Sequence, residues 1–239
     1  MPRFFTDTVP GSEAVITGED AVHIGRSLRM KPGEQLTLCC GGTDFECEIT
    51  AITPTSVHCK VISSAVCEAE PTIRLTLYQA LPKSEKMDLI VQKAVELGVS
   101  RIVPVLTARC VSRPDGKSIG RKIERWQKIA LSAAKQSGRG TVPEVAPLIS
   151  FNECLERAAA KERAFFCYEG GGASLAEAEL SGVEEAALII GPEGGFEAYE
   201  AELAEKAGLT VTSLGKRILR CETAPLAAIT AIMLLSGNL

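Results

Sequence analysis

The 239-residue sequence predicts an α/β chain of two domains, a small β-rich one over residues 1–70 and a larger one with a mainly parallel sheet over residues 73–239. Three observations carry that prediction. Up to about Val66 the pattern is short strands separated by turn residues. From about Ile73 apolar strands alternate with helical periodicity, the signature of a sheet covered on both faces. The change of texture falls at the AEPT stretch near Pro71, a natural junction.

In the first domain, DAVHIGRSLRM reads as a short helix closed by Pro32-Gly33. QLTLCC, GGTD and FECEITAI read as a hairpin whose glycines supply the positive φ that a tight turn needs, and TSVHCKVI adds another strand. A small β-barrel is expected. In the second domain, IRLTLYQAL is a strand, and Ser84 is placed to cap a helix with Met87, Ile90, Val91, Ala94 and Val95 on one face and Gly98 at its end. RIVPVL, AFFCY, AALII and LTVTSL are the following strands. ETAPLAAITAIMLL closes the chain as a helix, with Thr223 as N-cap and Pro225 in its first turn. That helix is apolar all round, so it is expected to be buried in the core or against a second subunit.

No stretch near the N-terminus resembles a signal peptide, and the longest apolar run is too short to span a bilayer, so a cytoplasmic protein is expected, with no membrane partner. The nine cysteines include no C-x-x-C pair, and only two histidines accompany them; reduced, mainly buried thiols are expected, with no metal. The net charge of −4 hides segregation: residues 1–72 hold five basic and ten acidic side chains, and residues 151–210 hold four and thirteen. Residues 101–140 hold ten basic side chains against Asp115 and Glu124 alone, so one segment can attract a polyanion that the rest repels.

The basic segment includes a helix over Gly120–Gly140. At about 100° per residue, Arg121, Arg125, Lys128 and Lys135 fall on one stripe, with Arg139 added if the helix persists, and Ile123, Trp126, Ala130, Ala133 and Ala134 on the opposite face. An ordinary solvated face is the plain reading. The scarcity of acid on the stripe, and Arg109, Arg113 and Lys117 in the preceding loop, favour a phosphate-binding surface.

LIIGPEGGF, residues 188–196, is a strand running into a loop of Gly191, Gly194 and Gly195. Loops at the carboxyl edge of parallel strands are where such sheets bind ligands, and glycines let a ligand reach the backbone. The loop matches neither a Walker A motif nor G-x-G-x-x-G, and Glu193 would oppose a polyphosphate. A neutral or cationic ligand such as S-adenosylmethionine fits better; the alternative is a tight turn. LGKRILRCETA, Leu214–Ala224, sets Lys216, Arg217 and Arg220 beside Ile218 and Leu219, as for a flat apolar ligand held next to a charged one, or as a plain capped loop.

Together MPRFF, HIGRSLRMKPGEQLTL, LPKSEKMDLIVQKAVELGVSRIVP, AAKQSGRGTVPEV, LIIGPEGGF and LGKRILRCETA resemble the RsmE family of 16S ribosomal-RNA uridine-N3 methyltransferases, within the SPOUT class, in order and over nearly the whole chain. The resemblance implies a PUA-like β-barrel for RNA binding and a SPOUT domain with a deep trefoil knot, which no pattern argument supplies. It further implies a homodimer, S-adenosylmethionine as donor, and a uridine of 16S rRNA in the small ribosomal subunit as acceptor, with the assembled subunit as the expected substrate. By matching position, Gly191, Pro192, Glu193, Gly194, Gly195, Phe196, Leu214, Gly215, Ile218 and Leu219 would build the cofactor pocket, with Thr223 and Ala224 at its edge. Arg26, Arg29, Lys83, Lys86 and Arg139 lie in matching motifs and would face RNA, beside Arg109, Arg121, Arg125 and Lys128 from the charge pattern. Lys216 stands where the family usually has proline, Cys40-Gly41-Gly42 replaces a more usual Asp-Gly turn, and the acidic balance of residues 1–72 sits awkwardly with an RNA-binding barrel.

Methylation at N3 requires loss of a weakly acidic proton and stabilisation of charge on O2 or O4, with no metal needed. Arg220 is the candidate for steadying the uracil oxygens, and Glu222, or alternatively Glu193, for accepting the proton. A methyltransferase of the same class acting on tRNA or another rRNA site, and a non-catalytic ribosome-assembly factor, are the competing readings.

Overall fold

A computed structural model describes all 239 residues and resolves them into two compact units, residues 1–70 with 134–141, and residues 71–133 with 142–239. The expected first domain thus gains residues 134–141, which the sequence places in the second.

The first unit holds β1 (Arg3–Phe5), β2 (Glu13–Thr17), α1 (Gly18–Val22, continued by a wider π turn over His23–Ser27), β3 (Gln35–Cys40), β4 (Thr43–Ile52) and β5 (Ser56–Val66). The strands form one sheet in the order β1-β3-β4-β5-β2, antiparallel except for β1 beside β3. The path is open at β1 and β2, so the expected barrel is a half-barrel, curled over Ile24, Leu36, Ile49 and Val57. Gly41 and Gly42 join β3 to β4 with φ of 54° and 80°, the pair of left-handed residues that a two-residue hairpin needs. Residues 134–141 are fastened into this unit by Glu70, which accepts from Arg139 Nε (2.8 Å), Arg139 Nη2 (2.9 Å), the amides of Gly140 and Thr141, and Thr141 Oγ1. Lys135 bonds Asp20 at 2.8 Å, and Arg3 makes a two-toothed pair with Asp44 at 2.6 and 2.7 Å.

The second unit begins with β6 (Arg74–Ala80), α2 (Lys86–Glu96), β7 (Arg101–Leu106) and α3 (Gly116–Ser137), whose last turn lies in the first unit. β8 (Glu144–Val145), β9 (Ile149–Ser150), α4 (Phe151–Ala159), β10 (Arg163–Cys167) and β11 (Ala173–Ser174, leading into a 3-10 turn over Leu175–Glu177) follow. β12 (Glu185–Ile190), α5 (Ala198–Lys206), β13 (Thr210–Ser213) and α6 (Ala224–Leu235) complete it. Every ladder is parallel, in the order β11-β13-β10-β12-β6-β7-β8 with β9 also beside β7. Strands buried on both faces read as continuous apolar runs, as AALII does, while β6 also buries the polar Thr76 and Gln79.

Local physics explains where the elements stop. α2 ends as expected at Gly98, with φ of 97°: the Gly98 amide bonds Val95 O and the Val99 amide bonds Ala94 O. Its start differs from expectation. Ser84 is not the N-cap; Glu85 is, and Ser84 sits one residue earlier in the left-handed region at φ 57°. Thr223 does occupy the N-cap position of α6 but takes helical angles, and its side chain makes no capping bond. α6 buries Pro225, Ala228, Ile229, Ile232 and Met233, and leaves Ala227 and Leu234 exposed. All nine cysteines are free thiols, seven of them buried.

Candidate active site

The strand order builds the site. β13, β10 and β12 are consecutive neighbours, so the loops leaving their carboxyl ends open on one rim of the sheet. These loops line a cavity of about 600 Å³, within the usual range for a small-molecule pocket. Gly191, Pro192, Glu193, Gly194 and Gly195 come from the β12 loop; Leu214, Gly215, Ile218, Leu219, Arg220 and Ala224 come from the segment after β13. The third loop is one that sequence reasoning missed: Cys167, Tyr168 and Glu169 at the end of β10. The signal was present, since AFFCYEGGG repeats the pattern of an apolar strand running into glycines. Lys86, Ile190, Ser213, Lys216, Arg217 and Cys221 complete the lining.

The glycines of the β12 loop are needed for close approach. A Cβ on Gly191 would lie 3.0 Å from the Phe196 ring, and one on Gly195, whose φ is 65°, would lie 1.8 Å from Glu169 Oε1. The loop is also tied down by hydrogen bonds. Gly195 N donates to Pro192 O at 3.0 Å, Gln79 Nε2 donates to Gly191 O at 3.3 Å, and Arg109 Nη1 donates to Gly194 O at 2.7 Å. Glu193 accepts from the Lys83 amide at 3.1 Å and pairs with Lys86 Nζ at 3.1 Å. Partial burial raises the pKa of Glu193, but hydrogen bonds from its own amide, Lys86 and Lys83 outweigh that and hold it below the ordinary carboxylate range. The carboxylate inside the glycine loop is therefore an anchor.

Lys86 also pairs with Glu222 Oε2 at 3.0 Å, and this bond holds Glu222 below the ordinary carboxylate range. A carboxylate so stabilised in its charged form is a weak proton acceptor, and Glu222 does not line the cavity. Burial, helped by the hydrogen bond to Glu222, pushes the neighbouring Cys221 thiol up to about 12. Arg220 lines the cavity, is exposed and carries no ion pair.

Several expected assignments change. Phe196 is 1% exposed and stacks on Phe166 with ring centroids 4.2 Å apart, so it supports the loop from the core. Thr223 does not line the cavity. Arg139, expected to face RNA, is turned inward: Gly138, at φ 77°, ends α3, the Arg139 amide turns back to Ala134 O, and its side chain, 3% exposed, clasps Glu70. Arg109 buttresses two loops: the glycine loop through Gly194 O and Glu197 Oε1, the latter at 2.9 Å, and the loop after β10 through Glu169 Oε1 at 3.8 Å. Arg125 is paired with Asp88 and Glu85, so of the stripe in the second unit only Arg121 and Lys128 are exposed cations without a carboxylate. Lys83, in the second unit, and Arg26 and Arg29, in the first, are exposed. Lys86 is not a surface contact but part of the cavity wall.

A parallel sheet with a ligand-sized cavity at its rim, on the same chain as a separate curled β unit, defines a two-part α/β protein with one small-molecule site. Comparison with known proteins specifies it. Residues 68–233 match the RNA methyltransferase domain, and residues 16–62 the RNA methyltransferase PUA domain. The chain is 39% identical to the ribosomal RNA small subunit methyltransferase E of Bacillus subtilis, over 91% of this chain and 88% of that one. Its structure is similar to that of the ribosomal RNA small subunit methyltransferase E of Neisseria gonorrhoeae bound to S-adenosyl methionine (TM-score 0.88, 34% identity, 98% of both chains). It is also similar to a putative methyltransferase of Legionella pneumophila in complex with SAM (TM-score 0.87, 31% identity, 98% of this chain and 97% of that one). The chain belongs to the ribosomal RNA small subunit methyltransferase E family.

Proposed function

We propose that this protein methylates N3 of a uridine in 16S ribosomal RNA, using S-adenosylmethionine held in the cavity at the sheet rim. The observation that carries the reading is that cavity: three neighbouring strands end there, and the β12 loop presents bare backbone to it. The residues fit the donor. A Cβ on Gly215 would meet nothing within 4 Å, so that segment offers open backbone, and about 600 Å³ admits a nucleoside carrying an amino-acid tail. Gly191, Pro192, Glu193, Gly194 and Gly195 with Leu214, Gly215, Ile218, Leu219 and Ala224 would hold it; Tyr168 and Glu169 join them. The donor supplies an electrophilic methyl group.

The chain's own contribution is electrostatic. Arg220, unpaired and always charged, would bond the uracil O2 or O4 and stabilise the anion left when N3 gives up its proton. With Glu193 and Glu222 both committed to Lys86, neither is the base, and the proton leaves to water at the open mouth of the cavity. Arg121 and Lys128, with Lys83, would contact phosphates. The homodimer rests on the family resemblance, and a mass measurement in solution reads it. The trefoil knot and the cytoplasmic location belong to the same proposal and rest on the family resemblance.

The decisive experiment supplies labelled S-adenosylmethionine with assembled small subunits, naked 16S rRNA and tRNA in separate reactions. Label on N3 of one 16S uridine supports the reading; label on tRNA alone, or none, overturns it. Arg220→Ala should lose at least about a hundredfold in kcat while donor affinity stays within a few-fold. Neutralising Arg121 and Lys128 together should weaken rRNA binding most at low salt, with the difference shrinking as salt rises, and reduce the slope of log affinity against log salt by about 1.4–1.8.

A further inference from the structure

We propose that Lys86 is a positioning residue that couples the two cofactor loops, so that the glycine loop and the segment after β13 hold the cavity as one unit. The inference rests on the donor site proposed above. Lys86 is the first residue of α2 and belongs to neither loop, yet its ammonium reaches Glu193 at 3.1 Å, Glu222 at 3.0 Å and Cys221 Sγ at 3.6 Å. An ammonium has three N–H donors, and each has an acceptor here. The side chain keeps only 31% of its surface. It is therefore saturated, which makes it unsuited to bind RNA phosphate and well suited to fix two elements.

The coupling is needed because of how the loops are anchored. Glu193 keeps a second bond, to the Lys83 amide at 3.1 Å, so its loop has an anchor without Lys86. Glu222 pairs with no other cation. The two loops leave β12 and β13, which are separated in the sheet by β10 and share no ladder. Two carboxylates within reach of one nitrogen lie within about 6 Å of each other, a distance at which unscreened like charges repel. Without the ammonium they would push the loops apart.

Charge and position predict opposite signs, which makes the test sharp. If Lys86 were only a positive charge in the wall, removing it would strengthen binding of the sulfonium donor and leave that of S-adenosylhomocysteine, whose sulfur is neutral, unchanged. If it positions the loops, Lys86→Met weakens both ligands alike, by about tenfold or more, with an unchanged melting temperature, and Lys86→Arg restores both to within a few-fold. Calorimetry on the purified full chain reads this. Amide hydrogen exchange on the ligand-free chain gives a second readout: in Lys86→Met, residues 191–196 and 214–223 should exchange faster together while α4 and α5 stay unchanged. Unchanged exchange in either loop, or tighter donor binding, overturns the coupling. Failure of the wild type to bind the donor, with exchange accelerated in both loops of the variant, overturns the donor reading and leaves the coupling standing.

Discussion

Two carboxylate–cation centres in this protein are built from similar parts and serve opposite ends. In the first unit, Glu70 takes five hydrogen bonds from Arg139, Gly140 and Thr141, and the Arg139 side chain retains 3% of its surface. In the second, Glu193 and Glu222 share Lys86 beside an open cavity, with 27%, 19% and 31% of their side-chain surfaces exposed. The Glu70 centre uses a forked guanidinium, planar and matched to a carboxylate, and closes a covalent detour of residues 134–141 onto its unit. The Lys86 centre uses a point charge on a flexible stem, which can hold two partners from two directions. In these two centres the guanidinium fork closes a buried joint, and the ammonium spans two loops at the wall of an open cavity.

The largest effect should come from breaking the buried joint. Glu70→Ala removes the forked carboxylate from the Arg139 guanidinium and frees residues 134–141 of their five bonds, so it should cost about 3 kcal/mol, read by denaturant unfolding. The pH sign follows. Burial raises the pKa of Glu70, but bonds and charge from Arg139, and bonds from Thr141, outweigh it and hold the folded value below the ordinary range. Its contribution is therefore complete above the unfolded carboxylate value, about 4.3, and is lost as pH falls through the lower folded one. Wild type should lose this increment in acid, while Glu70→Ala lacks it throughout; a variant as acid-sensitive as wild type would remove Glu70 from the account.

Next in size is a break in the cavity wall. Gly195→Ala places a methyl group 1.8 Å from Glu169 Oε1 at a φ of 65°, so the loop or the Glu169 side chain must move. Left-handed backbone costs about 1–2 kcal/mol for a residue with a Cβ, so a comparable loss of stability is expected, with donor affinity falling about tenfold. Adding Glu169→Ala should restore part of both if the collision matters more than the φ. No recovery would assign the whole effect to the backbone.

What the sequence made legible is what local geometry dictates. The glycine loop was readable because a bare backbone after a parallel strand has few other uses, and the α2 stripe because helical periodicity is intrinsic to the chain. The partner of Glu193 was not readable, because Lys86 lies more than a hundred residues away and only the ladder of β12 on β6 brings them together. The basic stripe of α3 failed in part for the same reason: its angles were right, but Asp88, Asp20 and Glu70 neutralise Arg125, Lys135 and Arg139 from distant positions. Phe196 shows the converse limit. A motif neighbour of the glycines was expected in the pocket, yet its ring faces the core and stacks on Phe166.

The smallest effect tests a residue type that misleads. Serine before an apolar stripe signals an N-cap, but Ser84 precedes the cap residue Glu85 and sits at φ 57°, where only glycine is unstrained. Its side chain is exposed and makes no hydrogen bond, while the turn around it delivers the Lys83 amide to Glu193. The conformation is therefore kept for the amide and not for the hydroxyl. Ser84→Gly removes the strain but enlarges the freedom of the unfolded chain, and the two terms nearly offset. A net gain of about 0.5 kcal/mol is expected, a rise of roughly 1–2 °C in Tm, with donor affinity unchanged. A fall in methyl transfer at unchanged Tm would instead give the Ser84 hydroxyl a contact with the RNA, and would shift the working part of this turn from its backbone to its side chain.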